Sequence, residues 1–291
     1  MTNTISPKKI ALLTDSCSDL SRDTAAKNGI FIVPLRILCP DGEYIDGVDI
    51  KSRDIYKRQE DGETLKTSLP LAGDVEQVLD DIKAAGYDGV IGIMLSSGLS
   101  GTYNLVSRVA EEYEGLTAVI FDSLSGSLGA GIILMQLAED IRKGMDWDTL
   151  TERRVPHLIR NTFAFFSVDT LEHLQKGGRI GKVTAIAGTL LNIKPVITFA
   201  DDGQLKSVAK VRGKTLVMAK LVECVAAHHE KGKKSNLAIA NGGAPEDVKL
   251  LEKKLVSTLH HANHLWAGEI GGTLSAYIGK GVLGCAIQLL D

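Results

Sequence analysis

The sequence predicts an α/β protein of two domains, in which a parallel-sheet domain with helices on both faces precedes a mixed α+β domain. Up to about residue 160, short apolar runs alternate with segments whose apolar residues recur every three or four positions. That alternation is typical of parallel strands connected by helices. After Asn161 the strand-like runs include a hairpin signal at 201–203, which indicates a mixed sheet. We therefore predict domains at 1–160 and 161–291.

The clearest strand–turn–helix unit lies at 89–113. An apolar run at 90–95 leads into a turn at 96–102 that holds three serines, two glycines and a threonine. A helix N-terminus has unpaired N–H groups and a partial positive charge, and hydroxyls next to it can donate to a ligand. The turn therefore suits a carboxylate or a phosphate. A well-capped turn without a ligand explains the same residues equally well.

Two further polar turns follow strands, at 14–19 and 122–127. In a parallel sheet these turns meet at the edge where ligands usually bind. Arg179 and Arg212 are candidates for supplying positive charge from the second domain, and small residues at 129–131 and 185–188 leave room for an apolar chain. An anion-binding turn that opens onto an apolar tunnel fits an amphiphile such as a fatty acid.

The composition of the chain narrows the classes of function that we expect for this protein. The chain has 291 residues and a net charge of −3, which gives no general attraction to nucleic acid. No apolar run is long enough for an integral membrane segment, and the polar start of the chain does not resemble a signal peptide. Four widely spaced cysteines fit free thiols in a reducing cytoplasm. No metal-ligand cluster stands out, and no cofactor is predicted.

Several short motifs are spread over essentially the whole chain, in this order: Thr14-Asp15-Ser16, Thr67-Ser68 followed by Pro70, the run from Leu95 to Asn104, Asp122-Ser123, the run from Lys176 to Gly181, Leu190 to Pro195, and Gly279-x-Gly281-x-Leu283-Gly284. Together they resemble the DegV family of bacterial fatty-acid-binding proteins. The resemblance implies a DegV-like fold with one long-chain fatty acid buried between the domains. It also implies a carrier that presents the acid to a separate ATP-dependent fatty-acid kinase, which makes the acyl phosphate for phospholipid synthesis.

The same resemblance implies that Thr67 and Ser100 hold the carboxylate. Further candidates for contact with it or with a phosphate are Ser97 of the serine turn, the two cations Arg179 and Arg212, and Tyr277. Hydroxyl donors to a carboxylate make charge-assisted hydrogen bonds. This chain departs from the family pattern where Leu69 replaces Gln, and where Tyr277 and Lys280 replace the His and Pro of His-x-Gly-Pro-Gly. Tyr277 can donate a hydrogen bond, but it has no positive charge at neutral pH.

Two alternatives remain at the level of sequence. One is an enzyme that acts on an acyl or phosphoryl group with Ser100 as nucleophile, although no His is placed by sequence to activate it. The other is a small-anion-binding regulatory protein, for which Tyr277 is the specific support. The sequence does not determine the chain length or unsaturation of the acid, the oligomeric state or the identity of the kinase.

Overall fold

The computed structural model describes residues 7–183, 193–230, 232–259 and 262–291. Within these ranges the strands form three sheets: a four-stranded sheet, a three-stranded sheet and a six-stranded sheet. The small-residue segment at 185–188 lies outside the described residues. None of the described helices is both long and apolar enough to cross a membrane.

The N-terminal sheet is parallel, as the alternating pattern predicts. Its strands lie in the order β2-β1-β6-β7, where β1 is Ile10–Asp15, β2 is Ile30–Val33, β6 is Gly89–Met94 and β7 is Thr117–Asp122. Alternate residues of β1 enter different cores, with Leu12 in one and Leu13 in the other. Both faces are therefore covered, by helices α1 (Arg22–Lys27), α3 (Ala72–Ala84), α4 (Thr102–Glu112) and α5 (Leu128–Arg142).

A small antiparallel sheet is inserted between β2 and α3. Its strands lie in the order β4-β3-β5, where β3 is Arg36–Cys39, β4 is Gly42–Ile45 and β5 is Lys66–Ser68. Helix α2 (Ser52–Glu60) lies between β4 and β5 in the chain. The dipeptide Asp41-Gly42 predicts a hairpin from the sequence, and the structure confirms it, because Cys39 pairs with Gly42 across the turn. Strand β5 pairs with β3 through Ile37 and Thr67, and this pairing fixes the position of Thr67.

The C-terminal sheet is mixed, as predicted. Its order is β10-β9-β8-β13-β11-β12, and only the β11–β12 pair is parallel. The strands are β8 (Thr162–Ser167), β9 (Ile193–Phe199), β10 (Leu205–Arg212), β11 (Ser235–Asn241), β12 (Ala262–Glu269) and β13 (Leu283–Leu289). Helix α6 (Val155–Arg160) precedes β8 in the chain, and α7 (Glu172–Lys176), α8 (Lys214–Ala226) and α9 (Pro245–Thr258) connect later strands of this sheet.

One part of the sequence prediction is wrong. The pattern at 266–289 predicts strands interrupted by glycines, but a seven-residue helix, α10 (Gly272–Ile278), lies between β12 and β13. The helix is too short to show a clear apolar period, and Gly271 and Gly272 at its start are poor helix formers. Tertiary contacts stabilise it instead, since Asp19 and Asp46 accept hydrogen bonds from its first N–H groups.

Candidate ligand-binding site

A cavity lies between the N-terminal sheets and the C-terminal sheet. It encloses about 910 Å³ of space outside protein atoms, including the part open to solvent. Most of its lining is apolar and comes from both halves of the chain: Leu35, Leu95, Leu99, Leu128, Ala164, Phe165, Phe166, Leu174, Phe199, Leu205, Ala238, Ala240, Ile270, Leu274, Ile278, Val282, Cys285 and Ala286. Such a surface favours an apolar ligand, because burying hydrocarbon removes it from water.

Strand register explains why there is space over the C-terminal sheet. Ala164, Ala286 and Ala238 are direct partners across β8, β13 and β11, so they form one row of small side chains. In the next row, Gly284 pairs with Ala240. All five residues line the cavity. Residues two apart along a strand share a face of the sheet, so the two rows form a continuous shallow floor.

Two hydroxyls meet at one end of the cavity. The side chains of Thr67 on β5 and Tyr277 on α10 are hydrogen-bonded, with their oxygens 2.7 Å apart. Tyr277 is buried, and a Cβ atom on Gly177 would lie 2.2 Å from its ring, so the ring packs directly on the backbone at that glycine. This contact fixes the ring and directs its hydroxyl to Thr67.

Ser100 reaches the same cavity from the turn between β6 and α4. Its Oγ is 2.8 Å from Thr102 Oγ1 and accepts a 3.3 Å hydrogen bond from the Thr102 N–H. The β9–β10 turn packs against this loop, because a Cβ atom on Gly98 would lie 2.4–2.7 Å from the backbone at 202–204. The hydroxyl of Ser100 therefore sits on a loop that both halves of the molecule hold in place.

The Thr14-Asp15-Ser16 turn supports this loop from inside the protein. The carboxylate of Asp15 accepts hydrogen bonds from the N–H groups of Leu95 (2.7 Å) and Cys17 (2.9 Å). Asp15 is fully buried, and burial raises its pKa to about 6 although these two hydrogen bonds oppose the shift. Its carboxylate is thus occupied with backbone groups, so Asp15 orders the loop that carries Ser100.

Arg179 joins two of the polar segments. Its guanidinium donates to the carbonyl oxygens of Leu99 (3.3 Å) and Gly177 (2.7 Å) and lies 5.1 Å from the centre of the Tyr277 ring. These contacts connect the Ser100 loop with the segment that follows α7. Arg179 consequently lies beside the polar end of the cavity, although its side chain is exposed.

Ser97 and Arg212 are not among the residues that the structure brings to the cavity. Ser97 is exposed, and its N–H donates to Asp122 at the surface of the loop. Arg212 is exposed at the end of β10, which is an edge strand of the C-terminal sheet. Ser97 was a candidate because it lies in the serine turn, and Arg212 because it is positively charged. Neither property determines the direction of a side chain.

A second, polar cleft borders the same end from outside. Thr67, Arg179 and Tyr277 line both the apolar cavity and this cleft, so they form the partition between the two. The cleft is otherwise lined mainly by polar groups, including Gln59, Glu63, Lys66, Glu172, His173 and Lys176. The polar end of the cavity therefore borders a cleft that is open to solvent.

Sequence reasoning missed several residues that build this site. Leu274 and Ile278 line the cavity from α10, and Leu128 lines it from the start of α5. By contrast, the polar turn at 122–127 and the small residues at 129–131 were predicted to lie near the ligand, and Gly126, Ser127 and Gly129 do line the cavity. For the α10 residues the signal in the sequence was Tyr277, because the glycines at both ends of the segment are not typical of a helix.

The geometry suits binding of an amphiphile. Thr67, Tyr277 and Ser100 can each turn one hydroxyl proton toward an anion, and the apolar floor can bury a hydrocarbon chain. The contacts of Ser100 Oγ within the described residues are with Thr102, so no described imidazole is positioned to take its proton. The cavity therefore places hydroxyl donors beside an apolar surface.

Comparisons with known proteins show the family of this chain. A family profile described as "uncharacterised protein, DegV family" matches residues 9–289. A DegV domain-containing protein of Clostridium acetobutylicum is 40% identical over 280 residues, which are 96% of this chain and 99% of that protein. A DegV domain-containing protein of Clostridium perfringens is 37% identical over 284 residues, with 97% of this chain and 99% of that protein covered.

Solved structures are similar as well. A DegV family protein from Thermus thermophilus, described for its fatty acid binding, superposes with a TM-score of 0.90 at 28% identity and covers 97% of this chain and 100% of that one. A stearic-acid-binding protein from Eubacterium ventriosum superposes with a TM-score of 0.86 at 25% identity, covering 96% of this chain and 98% of that one.

Proposed function

Because the chain belongs to the DegV family, we propose that it is a non-catalytic cytoplasmic carrier of one long-chain fatty acid. The acid lies between the two halves of the molecule, its carboxylate accepts hydrogen bonds from Thr67 and Ser100, and its tail lies over the apolar floor. The carrier presents the acid to a separate ATP-dependent fatty-acid kinase, and no cofactor takes part.

The observation that carries the proposal is the meeting of hydroxyl donors and hydrocarbon surface in one cavity. Thr67, Tyr277 and Ser100 lie at its polar end, and alanine, leucine and phenylalanine side chains form most of the rest. Each buried CH₂ contributes about 0.8 kcal/mol before the cost of association. The tail therefore supplies most of the affinity, while the hydroxyls fix the direction in which the acid enters.

Binding of a carboxylate requires the hydroxyl pair to rearrange. In the 2.7 Å contact between Thr67 and Tyr277, one hydroxyl donates to the other. A carboxylate placed beside them can accept from both, because each hydroxyl has one proton and an anion is the stronger acceptor. Tyr277 is thus a neutral donor at the place where the family pattern has an imidazole.

The polar cleft is the side from which a kinase can reach the carboxylate. Thr67, Arg179 and Tyr277 separate the cavity from this cleft, and Lys66 and Lys176 are exposed around it. Lys176 pairs with Glu172 (2.6 Å) and Glu63 lines the same cleft, so Lys66 and Arg179 are the basic groups that we expect to attract the anionic phosphoryl group. This arrangement supports presentation of the acid through the cleft.

Mass spectrometry of the organic extract from natively purified protein tests the proposal. We expect about one equivalent of long-chain fatty acid per chain, and the identity of the acid then gives the preferred chain length. Protein that is empty after purification and still takes up neither added palmitate nor added oleate contradicts the proposal. In that case the site belongs to a smaller polar anion.

A further inference from the structure

Helix α10 crosses from the C-terminal half of the chain to the N-terminal half. Its first N–H groups are bound by two N-terminal carboxylates: Asp19 accepts from Gly271 (2.9 Å), and Asp46 accepts from Gly272 (3.1 Å) and Thr273 (3.2 Å). An acid at the start of a helix satisfies unpaired donors and interacts favourably with the helix dipole. The start of α10 is therefore fixed by residues more than 200 positions away.

The glycines at the start of α10 make this approach possible. A Cβ atom on Gly271 would lie 2.8 Å from Asp19 Oδ1, and one on Gly272 would lie 2.7 Å from Asp46 Oδ1. A side chain at either position would push the carboxylate away. The sequence thus keeps the space that the two acids need, which indicates that their contact with α10 is specific.

The far end of α10 is held from the same side. Tyr56 and Ser275 have their hydroxyl oxygens 2.8 Å apart, and Gln59 Nε2 donates to the carbonyl oxygens of Ser275 and Ala276 at 3.1 Å each. Asp46 itself is almost fully buried and also accepts a 2.8 Å hydrogen bond from Ser16. Helix α10 is consequently held along its length before Tyr277 reaches Thr67.

We propose that Asp46 is a positioning residue for the fatty-acid site. Through α10 it sets where the Tyr277 hydroxyl meets Thr67, and it does not touch the ligand itself. Asp46 lies outside the cavity lining, one helical turn from Tyr277 through its contact with Thr273. The inference rests on the proposed function, because its readout is the affinity for the acid.

A double-mutant cycle tests this role. The variants are Asp46→Asn, Tyr277→Phe and both together, and the measurement is the Kd of the fluorescent fatty acid cis-parinaric acid with displacement by oleate. Tyr277→Phe and Asp46→Asn each weaken binding by about tenfold, the size expected for one lost hydrogen bond to a charged group. The double variant binds within about twofold of Tyr277→Phe alone, because both changes remove the same contact.

The control is Asp49→Asn. Asp49 is exposed in the same loop as Asp46 and accepts from the N–H of Ile45 within that loop. Its variant loosens the loop without touching α10, so it lowers the melting temperature while the Kd stays within twofold of the parent. A merely structural role for Asp46 predicts instead that the two loop variants lose affinity in proportion to their loss of stability.

The outcomes separate the two proposals. A parent protein that binds neither cis-parinaric acid nor oleate overturns the proposed function and the role of Asp46 with it. A parent that binds, together with an Asp46→Asn variant of unchanged Kd or with effects that multiply in the double variant, overturns the role of Asp46 alone. If Asp46→Asn does not fold, Gln59→Leu repeats the cycle from the far end of α10, with about a threefold effect that is absent in the Tyr277→Phe background.

Discussion

The two ends of the cavity are built in different ways. The apolar floor consists of alanines and a glycine on adjacent strands of one sheet, where Ala164, Ala286 and Ala238 are direct partners. The polar end takes Thr67 from one sheet, Ser100 from a loop and Tyr277 from a short helix. Backbone pairing fixes the floor, whereas side-chain hydrogen bonds and glycine contacts fix the polar end. Substitutions in the floor should therefore weaken binding of the tail by filling space. Substitutions at the polar end should weaken binding of the carboxylate by removing or misplacing a hydroxyl.

Filling the floor should have the largest effect on binding. Ala286→Leu places a larger side chain in the middle of the row of small residues, where the hydrocarbon tail is proposed to lie. We expect the affinity for oleate to fall by more than a hundredfold, while the melting temperature changes little because the new side chain enters existing space. Isothermal titration with oleate and with octanoate measures the effect.

Ala267→Leu serves as the control for this experiment. Ala267 is exposed on the edge strand β12 and does not line the cavity, so its variant should bind like the parent. Octanoate is short enough to leave part of the floor empty, and its binding should suffer less from Ala286→Leu. Unchanged oleate binding by Ala286→Leu would place the tail elsewhere.

Removing the hydroxyls of Thr67 and Ser100 should weaken fatty-acid binding less than filling the floor does, and the two removals together should weaken it more than either alone. Thr67→Ala and Ser100→Ala each remove one donor to the carboxylate, and a hydrogen bond to a charged group contributes about 1.5–3 kcal/mol. We expect each variant to weaken oleate binding at least tenfold, and the double variant to bind more weakly than either. Competition against cis-parinaric acid gives the three Kd values.

Ser97→Ala is the matched control for Ser100→Ala. The two serines share one loop, but Ser97 is exposed and lies outside the cavity lining. Its variant should bind within twofold of the parent. If the double variant at Thr67 and Ser100 binds as tightly as the parent, the carboxylate is not at this end of the cavity.

The buried Asp15 should have the smallest effect on ligand affinity, because its titration changes the stability of the protein and not the binding of the tail. The pKa of Asp15 is about 6 in the folded protein and 3.8 in the unfolded chain, so the folded state binds the proton more tightly. The contribution of Asp15 to the free energy of unfolding is therefore least favourable above pH 6 and improves as the pH falls toward 4. Two pKa units correspond to about 3 kcal/mol at most.

Urea denaturation at several pH values between 4 and 7.5 measures this dependence. Asp15→Asn removes the titrating group, so the difference in unfolding free energy between parent and variant should grow as the pH falls. Near pH 4 the variant should be the less stable of the two, because Asn has a single acceptor oxygen for the N–H groups of Leu95 and Cys17. A difference that is constant with pH would mean that Asp15 does not titrate in this range.

Much of this architecture could be predicted from the sequence. Apolar runs and helical periodicity gave the parallel sheet, and the turn residues at Asp41-Gly42 and at 201–203 gave two hairpins that the structure confirms. The serine turn drew attention because hydroxyls and glycines follow a strand there, whereas Thr67 and Ser100 were assigned to the carboxylate by the resemblance to the DegV family. The two-domain boundary near residue 160 stays a prediction. The first sheet ends at Asp122 and the C-terminal sheet begins at Thr162, so the sheets are compatible with a boundary anywhere between these residues.

By itself the sequence determined which segments are strands, which turns are rich in hydroxyls, and which positions carry small side chains, because these properties depend on neighbours in the chain. Only the tertiary structure decided that Tyr277 meets Thr67 across 210 positions, that Arg212 faces solvent, and that α10 is a helix. The physical reason is that these features depend on partners distant in sequence, and the carboxylates of Asp19 and Asp46 acquire their role only when folding brings them to Gly271 and Gly272.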